Sequence, residues 1–167
     1  MNMSPFVIIL MGSASDQEHC AEIANALNQL GIDCIQRIAS AHKNPARLLE
    51  ILDEYEASPH AHVFITVAGR SNALSGMVDA AVKSPVIACP PPSQVFSGAD
   101  IYSSLRMPSG VAPVLVLEPA NAALAAAKML AMAKPALLER IVQLQLANRR
   151  KLESADARIS QTSEGRK

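Results

Sequence analysis

Apolar and polar residues fall in blocks along this chain. Phe6-Val7-Ile8-Ile9-Leu10-Met11 is an unbroken apolar run that stops at Gly12. A short run with no polar face predicts a strand buried on both sides of a parallel sheet. Residues 16–30 carry Ala21, Ile23, Ala24, Leu27 and Leu30 near helical spacing, and Gly31 supplies a C-terminal stop. Residues 34–39 predict a second strand. Asn44-Pro45 opens a second helix, with Leu48, Leu49, Leu52 and Tyr55 inward and proline in the tolerant first turn. Residues 63–68 predict a third buried strand ended by Gly69, followed by a helix over 72–83 and a short strand over 85–88.

Pro90-Pro91-Pro92 continues neither strand nor helix and predicts a rigid loop. The polar segment 93–110 holds one short helix near Tyr102. A fifth strand over 113–117 precedes two helices, 119–133 and 135–152. The first of these is alanine-rich, which favours a helix and also permits close helix approach. From Ser154 the residues are small, polar and charged, predicting a disordered tail over 154–167 after one domain over 1–153.

Strands alternating with helices predict an α/β fold: three layers, α/β/α, around a doubly wound parallel sheet of about five strands. The last helix has Leu137, Ile141 and Leu144 on one side and Leu138, Val142 and Leu146 beside them. That surface is too broad for one-sided packing. The C-terminal helix is therefore expected to pack on neighbouring subunits of a homo-oligomer.

Composition narrows the function. The 167 residues suit one domain, and 50% are hydrophobic, enough for a sizeable core. Acidic and basic residues number 15 each, with no basic run, so neither nucleic acid nor an anionic membrane is an expected partner. With two Tyr, three Phe and no Trp, a base-stacking platform is not expected either. Cys20, Cys34 and Cys89 are odd in number and fit neither a disulfide framework nor a zinc site, which points to a reducing, cytoplasmic setting. The first apolar run is too short to span a bilayer and has no basic segment before it.

In an open parallel sheet, ligands bind beyond the carboxyl ends of the strands. The segments there are Gly12-Ser13-Ala14-Ser15-Asp16, Ser40-Ala41-His42-Lys43, Gly69-Arg70-Ser71-Asn72 and Cys89-Pro90-Pro91-Pro92-Ser93. In the first, Gly12 permits a tight turn, Ser13 and Ser15 offer hydroxyls, and the next helix offers free N–H groups to an anion. Asp16 would repel a phosphate but suits a ribose diol. The plainer reading is that Ser15 or Asp16 caps the helix. Lys43 suits a phosphate as a point charge, and an imidazole such as His42 suits proton transfer near neutral pH. A capping histidine beside a solvated lysine is the structural alternative. Ser71 and Asn72 read either as helix caps or as hydrogen-bonding partners of a flat heterocycle. His19, His60 and His62 are assigned structural roles, and Cys89 a buried structural thiol. No His/Cys/Asp/Glu set has metal-ligand spacing.

The first three segments, together with Ser103-Ser104-Leu105-Arg106-Met107-Pro108-Ser109-Gly110, resemble the phosphoribosylaminoimidazole carboxylase family over about residues 6–150. The resemblance implies a flavodoxin-like sheet and a tetramer or octamer. It also implies carboxylation of 5-aminoimidazole ribonucleotide by carbon dioxide, without ATP, biotin or metal, in purine biosynthesis. Within the family, class I members are mutases of the carbamate isomer, and class II members use carbon dioxide directly. Class I typically reads Ser-Ala-His-Arg in the second segment and Gly-Gly-Ala-Ala-His in the third. Here Lys43 replaces that arginine and Ala73 stands where the histidine would be, so the sequence looks like class II. By resemblance, Gly12, Ser13, Ser15, Asp16, Ser40 and Lys43 bind the ribose phosphate, with Asp16 on the ribose hydroxyls. His42 is the acid/base residue. Gly69, Arg70, Ser71 and Asn72 contact the heterocycle and carboxylation pocket. The alternatives are a class I mutase, a carboxylase of another heterocycle, and a non-catalytic nucleotide-binding module that would not need His42.

Overall fold

The structure is a computed structural model that describes residues 4–164. Residues 1–3 and 165–167, which the sequence reading assigned to the domain and its tail, lie outside the described residues. Five strands form one parallel sheet: β1 (Phe6–Met11), β2 (Asp33–Ile38), β3 (His62–Val67), β4 (Val86–Ala88) and β5 (Val114–Leu115). Their spatial order is β2-β1-β3-β4-β5, the doubly wound order expected, with its reversal between β1 and β3.

Period-two alternation divides the core between the two faces. Val7, Ile9 and Met11 join Val63, Ile65 and Val67 under α1 (Gln17–Gln29), α5 (Pro119–Leu130) and α6 (Ala136–Glu164). Phe6, Ile8 and Leu10 join Phe64 under α2 (Pro45–Glu56) and α3 (Ala73–Ala81). Ala122, Ala123, Ala126 and Ala127 are all buried, so the alanine-rich stretch serves close approach of α5 to α1.

Local signals act as expected at several ends. Gly31 adopts φ 65° just past α1, and Asn44 Oδ1 accepts from Arg47 N at 3.1 Å ahead of Pro45. Three expectations need correction. The inward stripe of α2 is Leu48, Ile51, Leu52 and Tyr55, while Leu49 is 42% exposed. Steps of three, four and seven from Leu48 select Ile51, Leu52 and Tyr55; Leu49 is one step round the helix. For the same reason Cys20, Ile23, Ala24 and Leu27 face inward on α1, and Ala21 faces out. The segment 154–164, expected as a disordered tail, continues α6. No glycine or proline interrupts 136–164, and Arg158 Nε donates to Ser154 O at 3.2 Å one turn back. Polarity there marks an exposed helix. Among the described residues, no helix is long and apolar enough to cross a membrane.

Candidate active site

The register of the sheet assembles the site. Met11 pairs with Ile38 on one side and Val67 on the other, so three strands end at one level. Gly12 N donates to Val67 O, and Ala39 N donates to Met11 O, both at 2.9 Å. The three following loops therefore start side by side and enclose a cleft of about 490 Å³. Gly12, Ser13, Ser15, Asp16, Ser40, His42, Lys43, Gly69, Arg70 and Ser71 all line it, with Ala41, Ala68 and Leu74 as apolar wall.

The first loop is a closed capping box around one 3-10 turn, Ala14–Asp16. Ser13 Oγ accepts from Ser15 N at 3.3 Å and from Ser15 Oγ at 3.1 Å, and Ser13 N donates to Asp16 Oδ2 at 3.1 Å. Burial pushes the Asp16 carboxyl above its ordinary value, opposed by the Ser13 N–H, the His19 charge and Ser15. Gly12 has no left-handed backbone, so the tight-turn expectation does not describe it. It packs beside Ala68, whose Cβ an added Cβ would meet at 3.5 Å, an ordinary contact.

In the second loop, Ser40 Oγ accepts from Lys43 N at 3.2 Å, and Asn44 N donates to Ser40 O at 3.0 Å. Ser40 thus ties the base of the turn while His42 and Lys43 are exposed at its apex. In the third loop, Arg70 adopts φ 57°, the left-handed region that non-glycine residues rarely enter. Lys43, Arg70 and Asp16 all line the cleft, so it carries two cationic side chains and one carboxyl.

Asn72 differs from the rest. It is buried and does not line the cleft. Its Oδ1 accepts from Ser75 N and Ser75 Oγ, and its Nδ2 donates to Ser104 Oγ. Of the two roles left open for it, the structure shows the cap of α3.

The proline loop forms a second cavity of about 450 Å³ that shares Ala68 and Gly69 with the cleft. His19, assigned a purely structural role, lines this cavity with Glu22, Asp100 and Glu118. Its Nε2 lies 3.4 Å from Cys89 Sγ. The signal for His19 was its position three residues after Asp16 at the start of one helix. Cys89 is fully buried, and burial, with Cys20, Glu118 and Glu22 nearby, pushes its thiol up to about 12, the setting of a structural thiol. His62 is a structural histidine: its Nδ1 meets His60 O at 2.8 Å and its Nε2 meets Glu56 at 3.0 Å. Among the described residues, no three His, Cys, Asp or Glu gather as a metal group.

A family model described as AIR carboxylase matches residues 6–151, nearly the whole described chain. The chain belongs to the AIR carboxylase family. Within this family it is 55% identical over 152 residues to a phosphoribosylaminoimidazole carboxylase of Archaeoglobus fulgidus, covering 91% of this chain and 83% of that one. It is 50% identical over 157 residues to the phosphoribosylaminoimidazole carboxylase of Treponema denticola, covering 94% and 99%. The crystal structure of Treponema denticola PurE superposes with a TM-score of 0.90 at 51% identity, covering 92% of this chain and 98% of that one. The AIR carboxylase fold thus accounts for the sheet order, and the chain is an enzyme of that kind.

Proposed function

We propose that the cleft at the ends of β1, β2 and β3 is the catalytic site and that it works as a class II carboxylase. On this reading it joins carbon dioxide directly to aminoimidazole ribonucleotide, without ATP, biotin or metal. The observation that carries the class is the cleft lining. Among the described residues it holds one imidazole, His42, with Lys43 beside it and no histidine in the third loop.

The chemistry follows from the substrate. The ring carbon C4, conjugated with the exocyclic amine, is an enamine-like nucleophile. It attacks the carbon of carbon dioxide; a C–C bond forms, and one C=O π pair becomes a carboxylate lone pair. The C4 proton then passes to His42, which restores aromaticity, and leaves to solvent through the exposed ring. Carbon dioxide contributes little binding energy, so the ribose phosphate supplies the positioning. Ser13, Ser15, Ser40 and Lys43 hold the phosphate, Asp16 takes the ribose hydroxyls, and Gly69, Arg70 and Ser71 face the heterocycle.

The test supplies purified protein, without ATP, with aminoimidazole ribonucleotide plus bicarbonate or with the carbamate isomer made in place. Product from bicarbonate independent of the carbamate is expected. Product only from the carbamate would assign the chain to class I.

The same reading includes a cytoplasmic homo-oligomer, a tetramer or octamer. Leu138 and Val142 on α6 are 54% and 48% exposed beside the buried Leu137 and Ile141, which supports burial of this helix against a second copy. A monomer by light scattering at micromolar concentration would refute it.

A further inference from the structure

Away from the cleft lining, a line of hydrogen bonds runs from the sheet to the segment after the proline loop. Ser75 Oγ donates to Asn72 Oδ1 at 2.8 Å, so its single hydrogen is committed. Thr66 Oγ1 of β3 lies 2.7 Å from Ser75 Oγ and 3.3 Å from Ile87 O, so its own hydrogen is shared between these two acceptors. Asn72 Nδ2 donates to Ser104 Oγ at 2.8 Å. Thr66, Ser75, Asn72 and Ser104 are all buried, and a satisfied buried network of this kind is rigid.

The neighbouring residue, Ser103, grips backbone. Its Oγ accepts from Asn72 N at 3.0 Å, and its hydrogen reaches Asp100 O at 2.7 Å and Arg70 O at 3.2 Å. Ser103 thus touches the backbone on both sides of Ser71. One of the two contacts is the carbonyl of Arg70, the residue that holds φ 57°. A non-glycine residue keeps that conformation only where its surroundings over-determine it. Neither Ser103 nor Ser104 lines the cleft.

We propose that Ser103 is a positioning residue of the carboxylation site. Anchored to the sheet through Ser104 and Asn72, it holds Arg70 and Ser71 in the strained turn that aligns heterocycle and carbon dioxide. The proposal rests on the reading of the cleft given above. It separates two functions in space. The first and second loops, to which Ser103 makes no hydrogen bond among the described residues, carry the ribose phosphate. The third loop carries alignment.

The experiment compares Ser103→Ala, Ser103→Thr and His42→Asn in the full chain. It measures kcat and KM for aminoimidazole ribonucleotide with saturating bicarbonate, well below the melting transition. Nucleotide-binding stoichiometry by calorimetry counts intact sites. Ser103→Ala is expected to bind with wild-type stoichiometry and a KM within about threefold, while kcat falls about tenfold or more, because small misalignment is costly once binding is intact. Ser103→Thr keeps the hydroxyl and is expected to restore kcat to within about twofold. Wild-type kcat in Ser103→Ala, a rise in KM with unchanged kcat, or a loss that threonine does not restore would overturn the proposal. His42→Asn with wild-type turnover would instead remove the cleft reading on which it rests.

Discussion

In the folded chain Asp16 commits one carboxylate oxygen, Oδ2, to the Ser13 N–H at 3.1 Å and lines the cleft. Asp16→Asn separates the cap from the proposed ribose contact. An asparagine amide oxygen still accepts from Ser13 N, the part that the N3 side chain plays in this capping box and that an amide fills as well as a carboxylate. Burial raises the Asp16 carboxyl above its ordinary value. With the folded pKa above the unfolded one, the ionised group lowers stability above the ordinary carboxylate range, and that cost vanishes as the pH falls below it. Asparagine carries no such cost at any pH. The melting temperature at neutral pH is therefore expected to hold or rise. What changes is the second atom. With the amide oxygen on Ser13 N, Nδ2 replaces the second carboxylate oxygen and cannot accept from a ribose hydroxyl. A hydrogen bond to a charged group contributes about 1.5–3 kcal/mol, or roughly 10- to 150-fold in affinity at about 1.4 kcal/mol per tenfold. Calorimetric titration with aminoimidazole ribonucleotide reads the affinity, and a melting curve reads the cap. Unchanged affinity would leave Asp16 as a helix cap and refute the ribose assignment. A fall in melting temperature beyond about 4 °C would refute the equivalence of the caps.

Lys43→Ala is expected to weaken the phosphorylated nucleotide about 10- to 100-fold while leaving affinity for the unphosphorylated nucleoside unchanged, since a point charge recognises the phosphate alone. Parallel titrations of the two ligands check this, and equal losses for both would contradict the assignment. A second expectation concerns acid stability. Burial pushes the Glu56 carboxyl up, but Ser84, the Lys83 N–H at 3.0 Å and His62 at 3.0 Å outweigh it and hold it below its ordinary 4.5. The folded pKa lies below the unfolded one, so this stabilisation is present above about pH 4.5 and is lost as the pH falls through the folded value. Denaturant titrations from pH 7 to pH 3 are expected to show a loss of stability that Glu56→Gln reduces. An identical acid limb in the variant would refute it.

Much of the fold was legible because its signals are local. The six-residue run of β1 is apolar on both faces and has one economical placement, inside a parallel sheet. Asn44-Pro45 and Gly31 mark helix ends through their own backbone preferences. The exposed half of α6 was misread because polarity is shared by disorder and by a solvated helix. Leu49 was misplaced because leucine at the wrong helical phase looks like its neighbours until the helix is docked.

The sequence by itself determined which groups are available for chemistry: the serines, Asp16, the His42-Lys43 pair, and the loops that carry them. It also determined the family, because four ordered motifs are linear properties of the chain. Only the tertiary structure decided which groups meet. The alignment of Met11 with Ile38 and Val67 brings the three loops level, and register is set by pairing between distant segments. It buried Asn72 against Ser104 behind the cleft, brought His19 to Cys89 across 70 residues of sequence, and placed Ser103 on the backbone of Arg70. Those contacts join residues from different loops and helices. No local propensity encodes them, because their partners are neighbours only after the sheet has formed.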